Sequence, residues 1–267
     1  MCFLKKPVNT MPASFDLVWY LVKTEYASKY AGSFLGLAWS LITPILFSCV
    51  VWFVFEMGFK VAPMDGVPFI VYFLTGYVVF ITFSDSVNSS VNSIVSKPHL
   101  VKNTIFPLHY LFVVSIAANL LQHVALFLMI CVVAYFHGFP AGPSIMIVLY
   151  GVICLVVFSF SIGLIVGTLN VFFKDVGHLS TVILNICFWA TPIIWSENFV
   201  PSNYELLLTL NPLKHVIDVY RLGVLGDNNT VSFSFAGFVV FWLITGFMFF
   251  IGFHLLSRSK PMFANNM

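Results

Sequence analysis

SIMIVLYGVICLVVFSFSIGLIVGTLN, residues 144–170, contains no charged side chain. About 20 apolar residues wound as a helix suffice to cross the ~30 Å hydrocarbon core of a bilayer. This run exceeds that length, so it is expected to span and to emerge at its end. Working outward, five more stretches are long and predominantly apolar: 34–57, 67–86, 108–136, 177–195 and 233–256. The whole chain follows the pattern. Of its 267 residues 60% are hydrophobic, 18% aromatic and only 8% charged, whereas soluble domains average about 25% charged residues. The expectation is an all-α integral membrane protein, one transmembrane domain over 1–267 with about six spans.

Residues 11–30 read differently. FDLVWYLVKTEYASKY alternates Phe15, Val18, Trp19 and Val22 with Asp16, Lys23, Glu25 and Lys29. That is an amphipathic helix lying at the interface, with aromatic rings at headgroup level among membrane lipids. The N-terminal stretch lacks the apolar core and cleavage site of a signal peptide, so the first span is expected to act as the internal targeting signal.

Lys and Arg set the sidedness. Lys5, Lys6, Lys23, Lys29, Lys97, Lys102, Lys174, Arg258 and Lys260 fall on one set of segments, and Lys60, Lys214 and Arg221 on the other. Nine against three puts both termini and the segments 87–107 and 171–176 in the cytoplasm, as an even span count requires. The net charge of +2 is too small to suggest a nucleic-acid partner. The cysteines show no CxxC or His/Cys spacing, so neither a disulfide framework nor a metal is expected.

On the cytoplasmic side the chain reads SKPHLVKNTIFP, residues 96–107. Pro98 and Pro107 bracket one or two helical turns. The stretch is either a solvated positive-inside loop or a docking element for a cytoplasmic partner. The spans carry almost no ionisable groups of the kind that couple transport to protons or ions. Asp85 and Glu56 sit near span ends, and His123 reads as a packed core residue. No inverted repeat of broken helices appears. HExxH, GxSxG and GxxxxGK[ST] are all missing, so no enzyme activity and no ATP site is expected in this chain.

Polar stripes run along three spans. Ser33, Gly36, Ser40, Thr43 and Phe47 share a face, as do His178, Thr181, Asn185, Phe188 and Pro192 beside Trp189. Thr75, Thr82, Ser86, Ser89 and Ser93 form the third. Such stripes are either packing seams or the wall of a hydrated conduit. Ser159, Gly163 and Gly167 read as a seam. The segment 196–232 does not span. It holds two short amphipathic patterns split by Asn211-Pro212, either an ordered outer loop or re-entrant helices forming a lid at the outer mouth. Asn228-Asn229-Thr230 matches a glycosylation sequon without other signs of a secretory host.

YASKYAGSFLGLAWSLITPIL (26–46), KPHLVKNTIFPLHYL (97–111), NVFFKDVGHL (170–179) and TPIIWSENFVPSNYELLLTLNPLKHVIDVYR (191–221) together resemble the membrane subunits of bacterial type 2 ABC exporters. The likeness is to the polysaccharide branch, which moves O-antigen, capsule or teichoic-acid chains, and it covers nearly the whole sequence in order. The resemblance implies a permease of the bacterial inner membrane that pairs with itself as a homodimer and docks two ABC ATPase subunits, which hold the ATP and Mg. It implies that Ser96, Lys97, Pro98, His99, Leu100, Val101, Lys102 and Asn103, with Lys174 and Asp175, couple to the ATPase. Leu100, Val101 and Ile105 would supply most of the grip, and Lys97 and Lys102 would pair with carboxylates. Ser33, Gly36, Ser40, Thr43, Phe47, Thr181, Asn185, Phe188, Trp189 and Pro192 would line the conduit. Pro201, Tyr204, Asn211, Pro212, Tyr220 and Arg221 would shape the outer gate. The substrate implied is a lipid-linked polysaccharide; a type 2 exporter of a drug, haem or ion is the alternative within transport.

Overall fold

In lipid a backbone has no water to satisfy its N–H and C=O groups, so each apolar run must close its own hydrogen bonds as a helix. The computed structural model, which describes residues 15–29, 31–64, 66–101, 106–139, 144–226 and 233–266, is built this way. The elements are α1 (Phe15–Ser28), α2 (Trp39–Trp52), α3 (Phe69–Asn92), α4 (Pro98–Val101), α5 (His109–Phe136), α6 (Ile145–Asn170), α7 (Asp175–Ala190), α8 (Glu205–Thr209), α9 (Pro212–Leu225) and α10 (Phe235–Asn266). A 3-10 turn, Gly36–Ala38, leads into α2, and a π-helical turn, Phe53–Gly58, follows it. Among the described residues, five helical segments are long and apolar enough to cross a membrane: Gly36–Gly58, Phe69–Asn92, His109–Phe136, Ile145–Phe172 and Phe235–Phe263.

The region 177–195, expected as a further span, is different. α7 has 16 residues, about 24 Å at 1.5 Å each. It ends where Thr191 turns extended, at φ −99° and ψ 141°. Pro192 follows, and a proline disfavours the helical region for the residue before it. The irregular stretch that continues is buried from Thr191 to Ile194. Irregular backbone is tolerated at membrane depth only where protein covers it.

α3 is the centre of the molecule, packed against α5, α6, α7 and α9. Its Thr75, Thr82, Ser86 and Ser93 are buried, so this stripe is a packing seam. Thr75 and Thr82 donate to their own helix, at the Tyr72 and Val78 carbonyls. The small residues of α6 meet it closely. A Cβ at Gly163 would lie 2.8 Å from the Ser90 hydroxyl, and one at Gly167 would lie 2.5 Å from both the Ser90 carbonyl oxygen and the Phe112 ring. His123 bonds Thr82 at 2.9 Å and Tyr220 at 3.3 Å inside the core.

α1 lays Val18 and Val22 on Val114 and Ala118 of α5, while Phe15 and Tyr20 point outward. The expected interface helix 11–30 thus appears as Phe15–Ser28; residues 11–14 lie outside the described residues. Lys97 and Lys174 sit at one end of the bundle and Lys214 at the other, called here the Lys97 end and the Lys214 end.

Candidate functional site

At the Lys97 end, Pro98 occupies the first position of α4, where its missing N–H costs nothing. The helix is one turn long. Val101 is buried, and half-buried Leu100 packs on the same cluster, which includes Ile94, Leu108, Phe112, Leu256 and Phe263. These apolar groups are therefore engaged within this chain, and the outward face consists of Ser96, Pro98 and His99. Lys97 is engaged as well. Its ammonium lies 2.5 Å from Oε2 of Glu25 on α1, with both side chains largely buried, and Ser115 donates to the other carboxylate oxygen. The sequence-based expectation placed Lys97 against a partner's carboxylate; the structure gives it one in cis. Lys102, Asn103 and Ile105 lie outside the described residues.

Glu25 was not singled out from sequence, since nothing local ties it to a lysine 72 positions away. Lys29 continues the same junction by donating to the Asn119 amide oxygen, and Asn119 donates to Ser89. Burial lowers the pKa of Lys29, against the pull of Asp85 and Glu25. Lys174 and Asp175 are exposed at the start of α7.

The second feature is the face shared by α2 and α7. Phe47 and Phe188 have ring centroids 6.2 Å apart. Tyr77 of α3 lies 5.1 Å from Phe47, Phe80 lies 5.1 Å from Phe188, and Trp189 lies 5.4 Å from Phe188. Tyr77 and Phe80 were missed from sequence, although Phe73, Tyr77 and Phe80 follow helical spacing on one side of α3. Along α2 and α7, Thr43, Thr181 and Asn185 are exposed, as are Phe47 and Trp189. The remaining candidates divide. Ser33 is exposed, Gly36 is half-buried and Pro192 is buried. Ser40 is buried and bonds the Tyr26 hydroxyl of α1 at 3.1 Å. The exposed sides of α2 and α7, joined by the Phe47–Phe188 contact, therefore carry rings, hydroxyls and an amide. Flat rings stack on the C–H faces of sugars, and hydroxyls and amides exchange hydrogen bonds without holding any one group tightly.

At the Lys214 end, α8 leaves Leu206 and Leu207 exposed, as are Pro201 and Tyr204. Asn211 caps α9, accepting from the Leu213 N–H, and its amide donates to Thr191; Pro212 fills the first position of the helix. Tyr220 and Arg221 are completely buried, so they form core rather than rim. The Arg221 guanidinium stacks 3.7 Å from the Tyr72 ring centroid. It donates to the Tyr72 hydroxyl, the Tyr72 carbonyl and the Ile193 carbonyl. Arg221 and Asn211 thus tie the break after α7 to α3 and α9. Lys214 sits 2.6 Å from Glu197 and 2.5 Å from Asp218. Burial alone would lower its pKa, but the two carboxylates hold it above the usual lysine value. Burial, with Lys214 beside it, pushes the His215 pKa down to about 4. The sequon 228–230 lies outside the described residues.

Comparison with known proteins gives consistent matches. The family model described as ABC-2 type transporter matches residues 16–225. The O-antigen export system permease protein RfbA of Klebsiella pneumoniae is 26% identical over 94% of this chain and 94% of its own length. The RfbA protein of Myxococcus xanthus is 28% identical over 75% of this chain and 77% of its own. The polysialic acid transport protein KpsM of Escherichia coli is 23% identical over 90% and 93%.

Proposed function

Because the chain belongs to the ABC-2 type transporter family, we propose that it is the membrane permease of an exporter that carries a lipid-linked polysaccharide, O-antigen foremost, across the bacterial inner membrane. The observation that carries this is the likeness, over 75% to 94% of this chain, to O-antigen, polysialic acid and capsule export proteins in several organisms. It favours a polymer over a drug, haem or ion. The multi-pass helical architecture fits such a role.

The Lys97 end faces the cytoplasm under the positive-inside rule, together with both termini. There α4 offers Ser96, Pro98 and His99 to an ATPase subunit, with Lys174 and Asp175 beside it. ATP and Mg belong to that partner, in two copies. Two copies of the permease meet through the exposed α2–α7 faces, and the aromatic group around Phe47 and Phe188 borders the conduit between them. The exposed Pro201, Tyr204 and α8 form the outer rim, while Asn211, Pro212, Tyr220 and Arg221 hold its frame.

A deletion strain tests the reading directly. Surface polysaccharide should disappear and lipid-linked chains should accumulate inside, with both restored by the intact gene. Undiminished surface polymer in the deletion strain would rule out polysaccharide export.

A further inference from the structure

A polar cleft of about 540 Å³ opens at the Lys97 end, between the last turns of α3, the end of α6 and the first turns of α7. Its polar lining is Asn88, Asn92, Asn170, Lys174, His178 and Thr181. Valines 91, 95 and 171 flank these groups.

Asn170 is 7% exposed and donates its amide to the Val91 carbonyl at 3.0 Å, which orients its oxygen and holds the floor of the cleft in place. Thr181 donates to its own helix. Among the described residues, the side chains of Asn88, Lys174 and His178 have no partner. Three unengaged polar groups from two helices therefore line one concavity, and one of them is a cation. No carboxylate is among the lining residues; Asp175, next in the chain to Lys174, is exposed outside it. The positive N-terminal end of the α7 dipole lies at the cleft, opposite the negative C-terminal ends of α3 and α6. The side-chain amides, the Lys174 ammonium and the α7 N-terminus are the donors in this cavity that suit an anion with several acceptor oxygens. The valine flank adds an apolar wall, which suits an amphiphile better than a free ion.

We infer that the cleft between α3 and α7 binds the phosphoryl headgroup of the substrate's lipid carrier, with Lys174, Asn88 and His178 as its ligands. The inference deepens the export reading and rests on it for the identity of the carrier. It also gives Lys174 a role separate from ATPase docking.

The test uses the full chain assembled with its ATPase in phosphatidylcholine nanodiscs, titrated with farnesyl diphosphate, farnesol and inorganic pyrophosphate. Farnesyl diphosphate should bind saturably and farnesol should not. Asn88→Ala with Lys174→Gln should raise the dissociation constant by about tenfold or more, the usual scale for losing a charge-assisted hydrogen bond. Lys174→Arg should keep most of the affinity, and unchanged elution and melting would show that each variant is folded. Equal affinity of the double variant and the parent would overturn the site. Inorganic pyrophosphate binding as tightly as farnesyl diphosphate would overturn the lipid carrier as its occupant. Loss of the ATPase from the Lys174→Gln complex, with farnesyl diphosphate affinity unchanged, would make the cleft a protein-docking surface and also overturn the inference. Because binding is read without transport, failure here is distinct from failure of the export reading. A chain that binds through Lys174, in a strain that keeps its surface polymer after deletion, would retain the site and lose the function.

Discussion

Two residues make the contacts that hold this molecule's irregular parts in place. Glu25 joins α1 to the turn that carries α4, through Lys97 at 2.5 Å. Removing one partner of a largely buried pair strands the other charge, which costs more than the pair itself contributes. Lys97→Met should therefore lower the thermal midpoint in detergent, by about 1–3 kcal/mol of stability. Exchanging the charges, Glu25→Lys with Lys97→Glu, should recover part of the loss; no recovery would mean that the pair is incidental. Arg221 plays the corresponding role at the other end. It is fully buried, and its fork reaches Tyr72 and the Ile193 carbonyl together. Lysine carries the charge but not the planar fork. Arg221→Lys should thus destabilise the protein and lower export even though charge is conserved, with Tyr72→Phe producing a smaller loss. Wild-type export and melting in Arg221→Lys would show that the break after α7 is held by other contacts.

Among the elements, α6 and α7 behave in opposite ways. α6 is a full span because nothing interrupts its helix, and its glycines let α3 and α5 approach. At Gly167 a Cβ would press on the Ser90 carbonyl and the Phe112 ring at 2.5 Å, and backbone cannot yield as a flexible side chain can. Gly167→Ala should cost about 1–3 kcal/mol, measured as a drop in melting temperature. Gly246 of α10 has open space around it, so Gly246→Ala should be neutral or stabilise by up to about 1 kcal/mol. Equal effects at the two sites would remove the close-packing account of α6. α7 stops short at Thr191-Pro192, and the spacing of its apolar residues did not reveal this. Hydropathy stays high across 191–195 whether the backbone is helical or not. Only the covering by α3 and α9, with Asn211 bonded to Thr191, makes the irregular path permissible.

For the whole molecule, the unusual feature is asymmetry of burial. α3 is 78% buried across its apolar window, whereas the spans of α2 and α10 are 22% buried. An exposed apolar α10 suits lipid. An exposed α2–α7 face bearing Thr43, Thr181 and Asn185 suits a second copy better, because hydroxyls and amides gain partners there. Cysteine placed at Thr181 or Asn185 should therefore give disulfide-linked dimers under mild oxidation in membranes, once the native cysteines are replaced. Cysteine at Leu243, on the outward side of α10, should remain monomeric; dimers from Leu243 alone would move the interface. The sequence by itself determined that the chain crosses a membrane as helices, since long runs without charge have no other way to satisfy their backbone in lipid. It also marked α1 as an amphipathic helix, because mixed polar and apolar periodicity is a local property. Which polar stripes face inward was a tertiary matter: Ser, Thr and Gly look alike in sequence whether they seat a neighbouring helix or a solvent path. Only the packed structure separated the buried α3 stripe from the open α2–α7 face. Likewise only the fold paired Lys97 with Glu25, 72 positions away, and set Arg221 in the core on Tyr72, 149 positions away, because these partners meet through the packing of helices that no local signal encodes.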